Sequence, residues 1–304
     1  MVLNYSLDIR SLTVVCALTA LCVGAGLGIA LGTVRKHSGL GIWAAGYLIA
    51  GLGYALLWTR GTWPDFASIV LANGLVIVGG SCFVVGIDRF LDYKDSRPVL
   101  ALIILPTIGL LAYYTFADPS IVSRIIVVSI VLGCLGFTCT AKLLLRIKPG
   151  AWIPQVAVAV LFGIHGVIMM VRAFAVLGTR TGPDLFSPSL FTTLTLLDFI
   201  LLSPCTGLGL LAMVFKDVNV ALESEITLRK TSEEKLHQTA SDLERALKEI
   251  KTLQGIIPIC GYCKKIRDDS GIWKQLEVYI TMHSDAEFSH GVCPDCVRRF
   301  HPET

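Results

Sequence analysis

Charge is what the first two thirds of this 304-residue chain lack. Asp, Glu, Lys and Arg make up only 16% of the residues, against about a quarter in an ordinary soluble domain. The deficit is uneven. Residues 217–304 hold 27 of the 49 charged side chains, leaving 22 for the first 216. That distribution excludes an ordinary cytosolic enzyme and predicts a membrane domain followed by a soluble tail. The net charge of +3 averages over two solvents, so it gives no reason to expect nucleic acid as a partner.

Crossing about 30 Å of hydrocarbon takes about 20 apolar residues. Seven stretches meet that length: 11–32, 40–58, 66–87, 98–117, 121–144, 153–178 and 190–215. Short gaps hold the breakers and charges, and the gap Asp118, Pro119, Ser120 forces spans four and five into an antiparallel hairpin. The first stretch is too long for a cleaved leader and reads as an anchor. Lys and Arg set orientation. One side carries Arg35, Lys36, Arg89, Lys94, Arg97, Lys142, Arg146 and Lys148, and the other Arg10, Arg60, Arg124 and Arg180. The richer side is expected in the cytoplasm, with the N-terminus outside and the C-terminus inside.

Further absences set several membrane functions aside. A retinal protein needs a Schiff-base lysine, and 190–215 has none. A haem held by two histidines needs a facing pair, and only His165 lies within a span. Transporter halves often repeat around broken helices; Pro106 and Pro204 could break spans four and seven, but no repeat is visible. Gly24, Gly28 and Gly32 give span one a small-residue face for close packing. Charge inside a span is costly and has a partner or a role. Asn73, Arg172 and Asp198 fall at similar depth in the outer half, with His165 two turns deeper than Arg172. An Arg172–Asp198 pair with Asn73 nearby is expected. It is either a structural ion pair or a pocket for a small ligand or proton.

From 217 to 257 there is no proline, and Gly255 is the only glycine, so a helix can continue from span seven. Leu236, Leu243, Ile250 and Ile257 take one core position of a heptad, and Thr239, Ala246 and Leu253 the other. Glu244 and Lys248 add a pair one turn apart. A parallel homodimer is the expected solution, with a lone helix packed on the tail as the alternative.

Ten cysteines divide into two groups. Cys16, Cys22, Cys82, Cys134, Cys139 and Cys205 lie in spans without a spacing pattern. Cys260 with Cys263 and Cys293 with Cys296 form two CxxC pairs. Such pairs make knuckles that together complete a four-thiolate metal site. Zn2+ suits a closed structural site in a cytoplasmic setting; the alternative is Fe in a rubredoxin-like centre. His283, His290 and His301 are expected outside the ligand set. Ile272, Trp273, Leu276, Tyr279 and Ile280 read as an amphipathic helix between the knuckles.

The stretch LKEIKTLQGIIPICGYCKKIRDDSGIWKQLEVYITMHSDAEFSHGVCPDC, over about 247–300, resembles a cysteine-rich C-terminal module of bacterial sensory proteins. There the module follows receiver or PAS domains, or a coiled coil. LDIRSLTVVCALTAL, GIWAAGYLIAGLGYALL and SIVLANGLVIVGG, within 7–216, are similar to the seven-helix input domain ahead of bacterial diguanylate cyclases. This chain departs from both patterns: it has no cyclase domain, kinase ATP-binding region or receiver, and His237 lacks the following Glu and Pro of a phosphoacceptor box.

The resulting expectation is an all-α polytopic membrane protein with a cytoplasmic coiled coil and a small α+β zinc-binding domain. The seven-helix sensory domain takes 1–216, the coil 217–256 and the four-cysteine domain 257–304. The residues and the resemblances together lead to the expectation of a bacterial inner-membrane receptor, not an enzyme, that signals from the lipid bilayer to a cytoplasmic signalling protein, as a homodimer through the heptads of the connector. A membrane redox protein and a transporter with a regulatory tail are the rivals.

Overall fold

A computed structural model describes residues 8–33, 38–177, 190–249 and 256–300. Seven of its helices are long and apolar enough to cross a membrane. They are built on α1 (Ile9–Thr33), α2 (Ser38–Trp58), α3 (Ala72–Phe90), α4 (Arg97–Ala112), α5 (Ile121–Leu145), α6 (Trp152–Leu177) and α7 (Leu190–Glu249), the third and fourth spans, Phe66–Phe90 and Arg97–Ala117, including adjoining π turns. A π-helical stretch, Phe66–Leu71, leads into α3, and another, Tyr113–Ala117, ends α4. Ser120 caps α5, its hydroxyl accepting the Ser123 N–H at 3.2 Å, which closes the expected hairpin. Pro106 and Pro204 both lie inside helices that continue past them. Leu105 and Phe174 stay about 70% exposed, as side chains solvated by lipid would.

The chain divides into two compact units, Met1–Glu223 and Ser224–Thr304. In the first, backbone approach replaces bulk at the helix seams. A Cβ on Gly79 of α3 would stand 2.6 Å from the Gly46 carbonyl oxygen of α2. On α5, a Cβ at Gly136 would stand 3.0 Å from the Phe162 carbonyl oxygen of α6. The span-one glycines play a smaller part than expected. Gly24 faces Leu48 of α2, but a Cβ at Gly28 or Gly32 would meet nothing within 4 Å. The small-residue seam belongs to α2 and α3 because both present glycine to the other, whereas α1 meets the larger Leu48 there.

Helix α7 is held by α1, α2 and α6. The Tyr47 hydroxyl donates to the Ser203 carbonyl at 2.8 Å, and the Cys16 thiol to the Leu196 carbonyl at 3.6 Å. Gly209 faces Val158. At the other end of the bundle, Lys148 pairs with Asp217 at 3.2 Å, and a Cβ on Gly150 would meet Val220 at 2.7 Å. The α5–α6 connector therefore rests on α7 beyond its apolar stretch.

In the second unit, Leu236 and Leu243 are 72% and 61% exposed on α7. Ile250 and Leu253, the next expected coil positions, lie outside the described residues, as does the side chain of Lys248. Farther on, a hairpin of β1 (Ile266–Arg267) and β2 (Trp273–Lys274) precedes α8 (Leu276–His283) and α9 (Pro294–Phe300). Trp273 and Ile272 thus belong to the hairpin, and only the second half of the expected amphipathic segment is helical. Asp268 builds the turn. One carboxylate oxygen accepts the N–H groups of Ser270 (3.1 Å) and Ile272 (2.9 Å), and the other meets Lys274 at 3.0 Å. Gly271 sits at φ +84°, in the left-handed region that glycine adopts freely. Among the described residues from 256 onward, Ile266 alone is buried.

Candidate functional site

Two neighbouring cavities occupy the first unit. The first, of about 90 Å³, is lined by Tyr47, Tyr54, His165, Asp198, Ser203 and Thr206. The second, of about 80 Å³, is lined by Arg60, Asn73, Arg124, Arg172, Thr192 and Thr195. Tyr54, Val76 and Leu132 stand in the walls of both.

This partition changes the expected cluster. Asp198 takes His165 as its partner, with Nδ1 to Oδ2 at 2.6 Å and a carboxylate only 1% exposed. Its other oxygen has no hydrogen-bond partner. The expected Arg172–Asp198 pair does not form; Arg172 lines the second cavity with Asn73, and its Nε is buried without a partner. Tyr54, packed on Phe199 at 4.6 Å between ring centroids, lies in range of both Arg172 and Asp198 and stands between their cavities. Asn73 turns inward on its own chain, donating to the Ile69 carbonyl of the preceding π turn at 2.7 Å.

The Asp198–His165 bond carries a measurable load. Replacing Asp198 with Ala leaves His165 without its acceptor and is expected to cost about 1.5–3 kcal/mol. Thermal unfolding of the purified chain should show a midpoint lower by roughly 3–12 °C. An unchanged midpoint would exclude any structural role for the pair.

At the lysine-rich end lies a network of which the sequence marks only Lys142, as one of the charges that set orientation. Asp88, 2% exposed, forms an ion pair with Lys142. Lys142 also donates to the Ser96 hydroxyl at 3.0 Å, and the Ser96 N–H donates to Asp88 at 3.1 Å. The Lys142 ammonium lies 5.0 Å from the Tyr93 ring centroid. Gln155, fully buried, donates to the carbonyls of Leu143 and Arg146, both at 2.7 Å, and so closes the open end of α5. The available signal was position: Lys142 lies inside the fifth apolar stretch, not beyond it.

In the tail, each CxxC pair is locally formed. The Cys260 sulfur accepts the backbone N–H groups of Cys263 and Tyr262, which hold its thiol below the ordinary range. The loop is closed by Cys260 N–H to the Lys265 carbonyl at 2.8 Å and Lys264 N–H to the Cys260 carbonyl at 3.1 Å. Cys293 stands at the start of α9, and the Cys296 N–H lowers its thiol likewise. The donor set of each knuckle fits one half of a four-thiolate zinc site. The two halves are not brought together: among the described residues no three His, Cys, Asp or Glu side chains converge. The tail has little core to draw them together, since Ile266 is its one fully buried described residue. His283 bonds the Tyr279 carbonyl at 2.7 Å and stacks on that ring; His290 is exposed, and His301 lies outside the described residues.

No protein-family model, curated protein or solved structure matches the chain.

Proposed function

We propose that this chain is a bacterial inner-membrane receptor that passes a membrane or small-ligand signal through a dimeric helix to a zinc-binding interaction module. One observation carries the reading: a single 60-residue helix, α7, includes both the buried Asp198 and the charged stretch beyond residue 217. A change at the cavity that shifts α7 is therefore a change in the same continuous helix that bears Leu236 and Leu243. In the proposed topology the N-terminus is outside and the lysine-rich end faces the cytoplasm. The tail then sits where thiols stay reduced and zinc is the fitting ion. The two CxxC knuckles and the near absence of a core support a four-cysteine module on Cys260, Cys263, Cys293 and Cys296 that folds around its metal. The resemblance to seven-helix input domains and to the cysteine-rich sensory module agrees with input and relay parts, and the proposal includes no catalytic residue.

Photo-crosslinking tests the dimer. A benzophenone side chain at Leu243 is expected to give a dimer band in membranes, while the same group at Ser241, on the opposite face, gives several-fold less. Equal yields at both positions, or none, would remove the coiled-coil relay.

A further inference from the structure

We propose that the second cavity binds an oxyanion group, a phosphate or a carboxylate, between Arg124 and Arg172. The inference rests on the receptor reading and names the ligand chemistry of its input domain. Two guanidiniums from two elements face one small chamber: Arg124 from the first turn of α5 and Arg172 from near the end of α6; Arg60 also lines it but has partners of its own. Arginine stays protonated, and charge left without a counter-ion within an apolar bundle is costly. Yet among the described residues no Asp or Glu lines the cavity. Asp65, exposed on the connector before the π turn, offsets Arg124 in part. Asp198 is behind Tyr54 and committed to His165.

The hydrogen-bond inventory points the same way. Thr13 and Thr195 have turned their hydroxyls to the carbonyls of Ile9 and Phe191, and Asn73 has turned its amide to Ile69. The charged donors left over are guanidinium N–H groups, beside the hydroxyls of Thr192 and Tyr54. The Nε atoms of Arg124 and Arg172 are both buried and without a partner, and Arg124 Nη1 makes only a 3.4 Å contact with Thr115. Forked donors of this kind match the two oxygens of a carboxylate or phosphate. A volume of about 80 Å³ admits a group of a few heavy atoms. The oxyanion can arrive on a free small molecule or on a lipid headgroup, and the chemistry at the arginines is the same.

The test uses the full chain and reads binding, not signalling. Thermal unfolding is followed in neutral detergent at fixed ionic strength, with inorganic phosphate or acetate titrated against chloride. A second arm compares nanodiscs of phosphatidylcholine alone with nanodiscs containing phosphatidylglycerol, in phosphate-free buffer. A saturable rise of roughly 5–10 °C is expected from a free oxyanion or from the anionic lipid; a rise confined to the lipid assigns the headgroup as the source. The rise is expected to vanish in R172Q and in R124Q and to survive in R146Q, at the other end of the bundle. Should R172Q fail to fold, R124Q on a different helix carries the comparison. No rise from any probe, or a rise that survives both R124Q and R172Q, overturns the site. Binding without any change in Leu243 crosslinking would keep the site and remove the receptor reading; crosslinking that answers another stimulus without oxyanion binding would do the reverse.

Discussion

Serine at Cys293 and Cys296 is expected to release one zinc per chain and unfold the tail, leaving the membrane unit intact. Structural zinc contributes about 10–16 kcal/mol in small domains, and the described tail has only Ile266 fully buried to set against the entropy of ordering. The Asp268 turn and the two-stranded hairpin are local devices that cannot replace it. Metal analysis of the purified wild type and variant, with limited proteolysis of both, reads the outcome. Iron with a visible absorption band would convert the tail into an electron carrier, and metal-free reversible thiols would make it a redox switch. The pH dependence has a definite sign. Zinc needs thiolates, so protons compete with it. The N–H groups on Cys260 and Cys293 hold those thiols below the ordinary range, so zinc is lost as pH falls, and at a lower pH than ordinary thiols would allow. Zinc retained by the double serine variant would sink the assignment of these ligands.

Methionine at Lys142 is expected to destabilise the bundle by about 3–5 kcal/mol, because it leaves the Asp88 carboxylate buried without its cation. The melting midpoint should fall by roughly 6–20 °C. The Ser96 N–H, at 3.1 Å, would still reach Asp88, but it brings no full charge. Adding Asp88→Asn removes the orphaned charge and is expected to recover most of the loss. That recovery is the diagnostic result. If the two changes destabilise additively, Asp88 and Lys142 act independently and the ion pair is incidental.

The apolar spans were legible to within a few residues: stretch 11–32 became Ile9–Thr33, and stretch 121–144 became Ile121–Leu145. Length and composition suffice there, because lipid demands an apolar run with every backbone group bonded inside it. Partners were not legible. Arg172 and Asp198 sit at compatible depths, but Tyr54 stands between their cavities and His165 presents the nearer nitrogen. Inside a bilayer the outward face of a helix is as apolar as the inward one, so periodicity says little about which glycines meet another helix. Hence Gly28 and Gly32 looked like a seam, while the close approach lies at Gly46 and Gly79. The π turns at Phe66–Leu71 and Tyr113–Ala117 carry no sequence mark at all. In the tail the four cysteines were legible as two local knuckles, but the structure brings no three ligand side chains together among the described residues.

The rest of the α5–α6 connector on α7, through Lys148–Asp217 and Gly150 against Val220, sets a rule for grafting this membrane unit onto a foreign reporter. A junction placed at Phe215, where the apolar stretch ends, would discard the only described ion pair between that connector and the outgoing helix. The graft should keep native sequence through Glu223, the last residue of the compact unit, and match helical phase from Ser224 onward. The transplantable part is thus longer than the membrane-spanning part, and its terminal turns are where the α5–α6 connector holds α7.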